Sequence, residues 1–566
     1  MTQAPELPHG GKILVDALVT HGVDTAFCVP GESYLAVLDA LHDVQDKVRL
    51  IVCRQEGGAS FMAEAYGKLT GRPGICFVTR GPGATNASIG VHTAQQDSTP
   101  MILFVGQIGG DVVEREAFQE VDYRRMFGGM VKWVAQIDRA ERIPELVSHA
   151  FHVAVSGRPG PVVLALPEDM LTTRTTAPET QRYQRVAASP NMRDMAKLRH
   201  LLQSCRKPMM ILGGGDWTPA ACAHMQRFAE RNHLPVACTF RRQDLFDNLH
   251  ELYAGDVGLG IAPKLQKRLK ESDLVICVGA RLGESTTGGY TLFDVPRLQQ
   301  RFVHVHPGAE ELGRVYQAEL MINAGMPEFC EAAAVLGPAE WENWADWSAA
   351  AHADYIETLA PVTVPGPVNP SEIVHWLSKR LPRDSILTNG AGNFAGWLHR
   401  FYPYAPMRTQ LGPTNGAMGY GVPAGIAAKA VHPDRVVVTF SGDGDFLMNG
   451  QEFATAAQYG IAVIVVVVNN GMYGTIRMHQ EREYPARVHG TALSNPDFAA
   501  LARAYGGHGE TVTATADFPA AFERAVASGK PSLIEVQIDP EVITTRMTLS
   551  AIRTKAQQAA GQNPTA

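Results

Sequence analysis

Short apolar runs alternate along the chain with longer stretches in which apolar residues recur every three or four positions. ICFVT, PMILFVG and GPVVLALP in the first third read as strands, as do PMMILGGG, LPVACTF, DLVICVGAR and RFVHVHP in the second. SILTNG, RVVVTFSG, IAVIVVVVNN and PSLIEVQI do the same in the last. RVVVTF and IAVIVVVV carry no polar alternation, as expected of strands buried on both faces of a parallel sheet. With helical patterns as crossovers between the runs, the expected fold class is α/β, with three parallel-sheet domains. TTRTTAPETQRYQRVAASP reads as the linker between domains at 1–171 and 191–345. LAPVTVPGPVNP, whose prolines deny a helix its hydrogen bonds, precedes a third domain at 365–552. The tail AQQAAGQNPTA is expected to be loose.

Length agrees with this division, since 566 residues exceed a single core. The net charge of −7 is spread without a basic block, which argues against nucleic acid as a partner. MTQAPELPHGGK lacks the apolar core of a signal peptide, and IAVIVVVV is too short to span a bilayer. A cytoplasmic protein without membrane contact is the expectation. Eight cysteines without a C-x-x-C pair are expected as buried free thiols.

The richest chemistry lies in SGDGDFLMNGQEFATAAQYGIAVIVVVVNN, Ser441 to Asn470. NGQEFATAAQYG has the length of one crossover helix between two parallel strands. The loops after both strands then emerge on the same edge of the sheet, where open α/β folds bind ligands. Asp443 offers a carboxylate there, Asn470 an amide oxygen, and the irregular turn NNGMYG a backbone carbonyl, that of Met472. Three such oxygens are too few for a calcium cage but suit Mg²⁺ that completes its octahedron with phosphate oxygens and water. The glycines, Gly444 among them, let backbone N–H groups approach a diphosphate. A P-loop motif is absent.

This combination resembles the signature of the thiamine-diphosphate enzyme family. Other stretches agree with it: CVPGESYLAVLDAL, IVCRQEGGASFMAEAYGKLTG, RGPGATNASIG, TNGAGNFAG and TNGAMGYGVPAGIAAK. The resemblance implies a pyrimidine-binding domain, a Rossmann-like middle domain and a diphosphate-binding domain. It assigns Glu56 to activation of the cofactor, with Glu64 as competitor, and Met418 to the apolar support beneath it. The Gly416 carbonyl would accept from the cofactor's 4′-amino group. Pro30, Pro82 and Asn86 are implied on the pyrimidine side, and Gly392, Asn393, Asp445 and Gly474 on the diphosphate side. In the family the two cofactor-binding domains come from different subunits. The implied state is therefore a homo-oligomer, a dimer at least and expected as a tetramer.

Within the family, EAFQEVDYRRMF and SGRPGPVVLALPEDM resemble the acetolactate synthase catalytic subunit, which carries over Phe118 and Gln119 as substrate-side residues. The implied reaction decarboxylates a 2-oxo acid and transfers the acyl unit to an acceptor 2-oxo acid or aldehyde. The chain departs from that pattern in three places. Glu168 stands where those enzymes typically have Lys, His479 where they have a Trp of the acceptor pocket, and Gln95 and Gln96 make the channel more polar. LGGGDW, GDVGLG and GARLGES resemble segments that contact FAD there, with Gly283 and Ser285 replacing acidic residues; bound FAD is left open. His304 and His306 are expected as structural rather than metal ligands. A 2-oxo acid decarboxylase, a diketone or hydroxyacyl lyase, and a flavin-dependent pyruvate-oxidase-like enzyme are the alternatives. PMILFVGQIGG lacks the histidine pair of the decarboxylases.

Overall fold

The computed structural model describes residues 6–562. The chain forms two compact units, one ending at Ala187 and the other starting at Ala188. In the first, β1 (Thr25–Cys28), β2 (Arg49–Val52), β3 (Gly74–Val78), β4 (Met101–Gln107), β5 (Trp133–Gln136) and β6 (Pro161–Pro167) form one sheet. Its strands pair in the order β2-β1-β3-β4-β6-β5, all parallel.

The second unit holds two sheets. β7 (Pro208–Leu212), β8 (Val236–Thr239), β9 (Tyr253–Val257), β10 (Leu274–Val278), β11 (Arg301–His306) and β12 (Leu320–Asn323) run in the order β12-β11-β10-β7-β8-β9. Counted within the sheet this is the doubly wound dinucleotide-fold order, 3-2-1-4-5-6 read backwards. β13 (Ile386–Asn389), β14 (Gln410–Leu411), β15 (Val437–Gly442), β16 (Ile464–Asn469), β17 (His508–Val512) and β18 (Ser532–Gln537) run β14-β13-β15-β16-β18-β17. The third sheet repeats the order of the first, strand for strand.

Apolar runs became strands because both sheet faces are covered. Every residue of β3, β4, β6, β7, β10 and β15 is buried, with helices supplying the other half of each core. All eight cysteines are buried, and none forms a disulfide.

Two local expectations change. The crossover between β15 and β16 is two helices, Asp443–Asn449 and Glu452–Tyr459, rather than one. The chain bends between them at Gly450, where a Cβ would stand 2.5 Å from the Phe446 ring and 2.8 Å from its carbonyl oxygen. The tail is helical through Gln562, in the helix Leu549–Gln562, because Leu549 and Ile552 anchor it in a small apolar cluster with Met478 and Ile543. Residues 563–566 of the expected loose tail lie outside the described residues.

Candidate cofactor site

β15 and β16 are parallel neighbours with Gly442 opposite Val468, so Asp443 and the Asn469–Asn470 pair leave the sheet at the same edge. Asp443 is buried, and burial raises its pKa; it is held by neutral donors, the Asn495 amide and the N–H groups of Gly444 and Gly471. The two asparagines divide their roles. Asn469 donates to Glu535 Oε1 at 2.7 Å, and its own oxygen accepts from Gly471 N at 3.0 Å and Asn495 Nδ2 at 2.9 Å. The Asn470 amide makes no hydrogen bond among the described residues. Met472 sits opposite Ala492 in an antiparallel bridge whose bonds run Tyr473 N to Thr491 O and Leu493 N to Gly471 O. Those bonds bypass Met472, so its carbonyl is not consumed.

Asp445, two residues on, works inside the protein. Its Oδ1 accepts from Ala391 N and Gly419 N, each at 2.9 Å, and its Oδ2 is buried without a partner. Burial pushes its pKa up to about 6. The carboxylate thereby ties the loop after β13, with Gly392 and Asn393, to the loop carrying Gly416 and Met418. Asn393 is fixed by Thr475, whose hydroxyl accepts from Asn393 N at 3.0 Å and donates to its side-chain oxygen at 3.1 Å. Gly416, at φ +73°, is exposed and nothing lies within 4 Å of a Cβ built on it. Met418 is half-buried. Gly444 and Gly474 are explained by packing: a Cβ on Gly444 would meet the Tyr473 ring at 2.6 Å, and one on Gly474 would meet Ile543 at 2.9 Å.

In the first unit, Glu56 opens the helix Glu56–Thr70 directly after β2, with the Gln55 side chain capping it through Gly57 N and Gly58 N. Asn86 donates to Glu56 Oε2 at 2.9 Å, while Oε1 has no hydrogen-bond partner among the described residues. Asn86 lies with Pro82, Thr85 and Ile89 on the exposed face of the helix Pro82–Asp97. Glu64 is decided against by its surroundings. It is fully buried, accepts from Thr99 Oγ1 at 2.7 Å and pairs with Lys68, which also pairs with Asp97. Pro30 is exposed at the end of β1.

Gln119, at φ +66°, packs on Gly81, where a Cβ would meet its backbone oxygen at 2.9 Å. Phe118 beside it is 70% exposed. Their loop is held by Glu120, which accepts from Glu114 N and Ala117 N. His479 is exposed on the helix Gly474–Glu483. Among the described residues no cluster of three or more His, Cys, Asp or Glu forms a metal site.

Comparison with known proteins identifies the domains that carry these residues. Residues 8–126 match the thiamine pyrophosphate enzyme N-terminal TPP binding domain, residues 195–333 its central domain, and residues 390–536 its C-terminal TPP binding domain. An acetolactate synthase large subunit of Parasynechococcus marenigrum is 33% identical over 94% of this chain and 88% of that protein. The chain belongs to the thiamine pyrophosphate enzyme family. The acetolactate synthase large subunit of Corynebacterium glutamicum is 32% identical over 92% of this chain and 85% of that protein. The acetolactate synthase isozyme 2 large subunit of Escherichia coli is 30% identical over 94% and 96%. Family and relatives together make the chain an acetolactate synthase-like carboligase that depends on thiamine pyrophosphate.

The residues present fit that cofactor with a divalent metal. A buried carboxylate with only neutral donors, an unengaged amide and an unengaged carbonyl are the acceptors a hard cation takes when phosphate completes its shell. The middle-sheet glycines have a packing account without a flavin. A Cβ on Gly213 would meet Thr239 Oγ1 at 2.2 Å, and one on Gly214 would meet the Gly279 carbonyl at 1.9 Å. His304 is buried, bonded to the Ala280 carbonyl at 2.8 Å, and burial lowers its pKa, while His306 bonds within its own turn to Gly308. Glu168 pairs with the buried Arg80 at 3.0 Å.

Three contributors escaped the sequence reading. Asn495 bridges Asp443 and Asn469, Thr475 fixes Asn393, and Arg241 reaches the cofactor loops from the middle sheet. For Asn495 the signal was SNPD before a helix, an ordinary helix-entry pattern that gives no hint of a reach to Asp443.

Proposed function

We propose that this enzyme binds thiamine pyrophosphate with Mg²⁺, decarboxylates a 2-oxo acid and joins the remaining acyl unit to an acceptor 2-oxo acid or aldehyde. The observation that carries the reading is that each unit holds its own group of prepared acceptors: Glu56 with one oxygen held by Asn86, and Asp443 beside the Asn470 amide and the Met472 carbonyl. Bound thiamine pyrophosphate supplies the electron sink that loss of CO₂ from a 2-oxo acid requires.

The chain's own residues do the rest. Asn86 orients Glu56 so that Oε1 is the atom that gives and takes a proton. Asp443, Asn470 and the Met472 carbonyl hold the metal, and Gly392 and Asn393 lie where backbone can reach phosphate. The Gly416 carbonyl accepts from the aminopyrimidine, and Met418 supports the ring. Phe118, Gln119 and His479 face the substrates. A homo-oligomer, at least a dimer, unites the half-sites; exposed Ile89 on the helix of Asn86 and exposed Leu447 and Met448 on the helix Asp443–Asn449 are the apolar contacts it would cover. Eight free cysteines fit a reducing cytoplasm. The flavin-dependent alternative is not favoured.

Incubation with a panel of 2-oxo acids and aldehydes, with products identified by mass spectrometry, tests the reading. Glu56→Gln should keep cofactor affinity and lower turnover by roughly 10²- to 10⁴-fold. Failure of the wild type to consume any 2-oxo acid would sink the proposal.

A further inference from the structure

Arg241 is a buried charge that the chemistry above does not use. It follows β8 of the middle sheet and holds a left-handed backbone, φ +61°, which is costly for a residue with a side chain. Its guanidinium lies 4.8 Å from the centre of the Phe240 ring, and Phe240 meets His399 edge-on at 5.7 Å. From there the fork reaches two loops of the third sheet. Nη2 donates to the Gly390 carbonyl at 3.0 Å, and Nη1 donates to the Pro413 carbonyl.

Both carbonyls are shared. Gly390 O also accepts from Asn389 Nδ2 at 2.7 Å, and Pro413 O also accepts from Gly416 N at 3.1 Å, closing the turn that presents Gly416. Arg241 thus shares the Pro413 carbonyl with Gly416 N, and it bonds Gly390, two residues before Gly392. Gly412 leaves it room, since a Cβ there would stand 2.9 Å from Arg241 Cδ. A planar fork can hold two carbonyls at a fixed separation, which a lysine ammonium cannot reproduce.

We propose that Arg241 is a positioning residue of the cofactor site, by which the middle domain fixes the spacing of the Gly390–Asn393 and Pro413–Met418 loops. The inference rests on the reading of those loops as cofactor-binding. Asp445 joins the same two loops through Ala391 N and Gly419 N, so the loop pair is held twice, by an anion from its own sheet and by a cation from the neighbouring one.

The test compares wild type, Arg241→Lys and Arg241→Met as full-length proteins. Thiamine pyrophosphate is titrated at fixed Mg²⁺ by calorimetry, apo-protein melting is followed, and KM for the cofactor is separated from kcat. A control, Arg383→Gln, removes the 2.5 Å Arg383–Asp247 pair that joins the same two domains away from these loops. Loss of two charge-assisted bonds should weaken cofactor binding ~10- to 100-fold in Arg241→Met and less in Arg241→Lys, with kcat at saturation nearly unchanged. Arg383→Gln should lower the melting temperature and leave affinity alone. Wild-type affinity in the Arg241 variants overturns the proposal, as does equal weakening by Arg383→Gln. If Arg241→Met does not fold, Arg241→Lys carries the comparison. A wild type that binds no thiamine pyrophosphate overturns the cofactor reading itself, a result distinct from variants that bind normally.

Discussion

Adjacent asparagines at the end of β16 make opposite uses of the same side chain. Asn469 spends its amide on Glu535, Gly471 and Asn495, which are the bonds that set the loop's course. The Asn470 amide makes no hydrogen bond among the described residues. Asn469→Ala should therefore cost about 1–3 kcal/mol of stability, because it removes three hydrogen bonds, one of them to the buried Glu535 carboxylate. Asn470→Ala should leave the melting temperature of the metal-free protein within a degree or two and weaken Mg²⁺-dependent cofactor binding. Thermal melts with and without Mg²⁺ and thiamine pyrophosphate separate the two, and a reversed pattern would exchange their roles. The motif from Asp443 to Asn470 was legible because strand, crossover helices and strand follow one another directly in the chain. Which asparagine is free was not, since Glu535 and Asn495 decide it from distant positions in the chain. For Glu56 against Glu64 the sequence already favoured Glu56, which follows a short apolar strand, and the Thr99 and Lys68 contacts show what engages the Glu64 carboxylate.

At the scale of elements, the helix Leu549–Gln562 is tied to the helix Gly474–Glu483 that carries His479. Arg553 donates to both oxygens of the Glu481 carboxylate, at 2.7 and 2.6 Å, and Arg477 adds two bonds from the same helix. These bonds, Arg553's first, lower the Glu481 pKa from 4.5 to about 2. A carboxylate with a depressed folded-state pKa stabilises the fold fully above its unfolded pKa and loses that contribution as pH falls toward its folded one. The C-terminal helix should thus loosen between about pH 4.5 and 2, seen as faster amide exchange in residues 549–562. Glu481→Gln should produce the same loosening at neutral pH and flatten the acid response. Unchanged exchange in that variant would place the anchor in the apolar contacts of Leu549 and Ile552 alone. Periodicity read the buried strands well because a strand covered on both faces is apolar throughout. It missed this helix because AQQAAGQ offers no apolar stripe, and the two residues that anchor it stand before that polar run.

Over the whole molecule, the first and third sheets share one strand order, and each overlaps a stretch that matches a thiamine pyrophosphate binding domain. The apolar runs were enough to foresee three parallel sheets, but no short-range signal could have given their strand orders, which depend on pairings across tens of residues. The proposed homodimer turns this arrangement into a quantitative expectation. Glu56→Gln and Asn470→Ala chains are each expected to be inactive as homodimers, one lacking the proton carrier and the other a metal ligand. If every site takes Glu56 from one chain and Asn470 from the other, a mixed dimer has one site with both lesions and one with neither. Equal mixing and random re-pairing make half the dimers mixed, so about a quarter of wild-type activity should return. Sites completed within a single chain would regain nothing on mixing, and recovery that persists when subunit exchange is blocked by crosslinking before mixing would also defeat the shared-site arrangement.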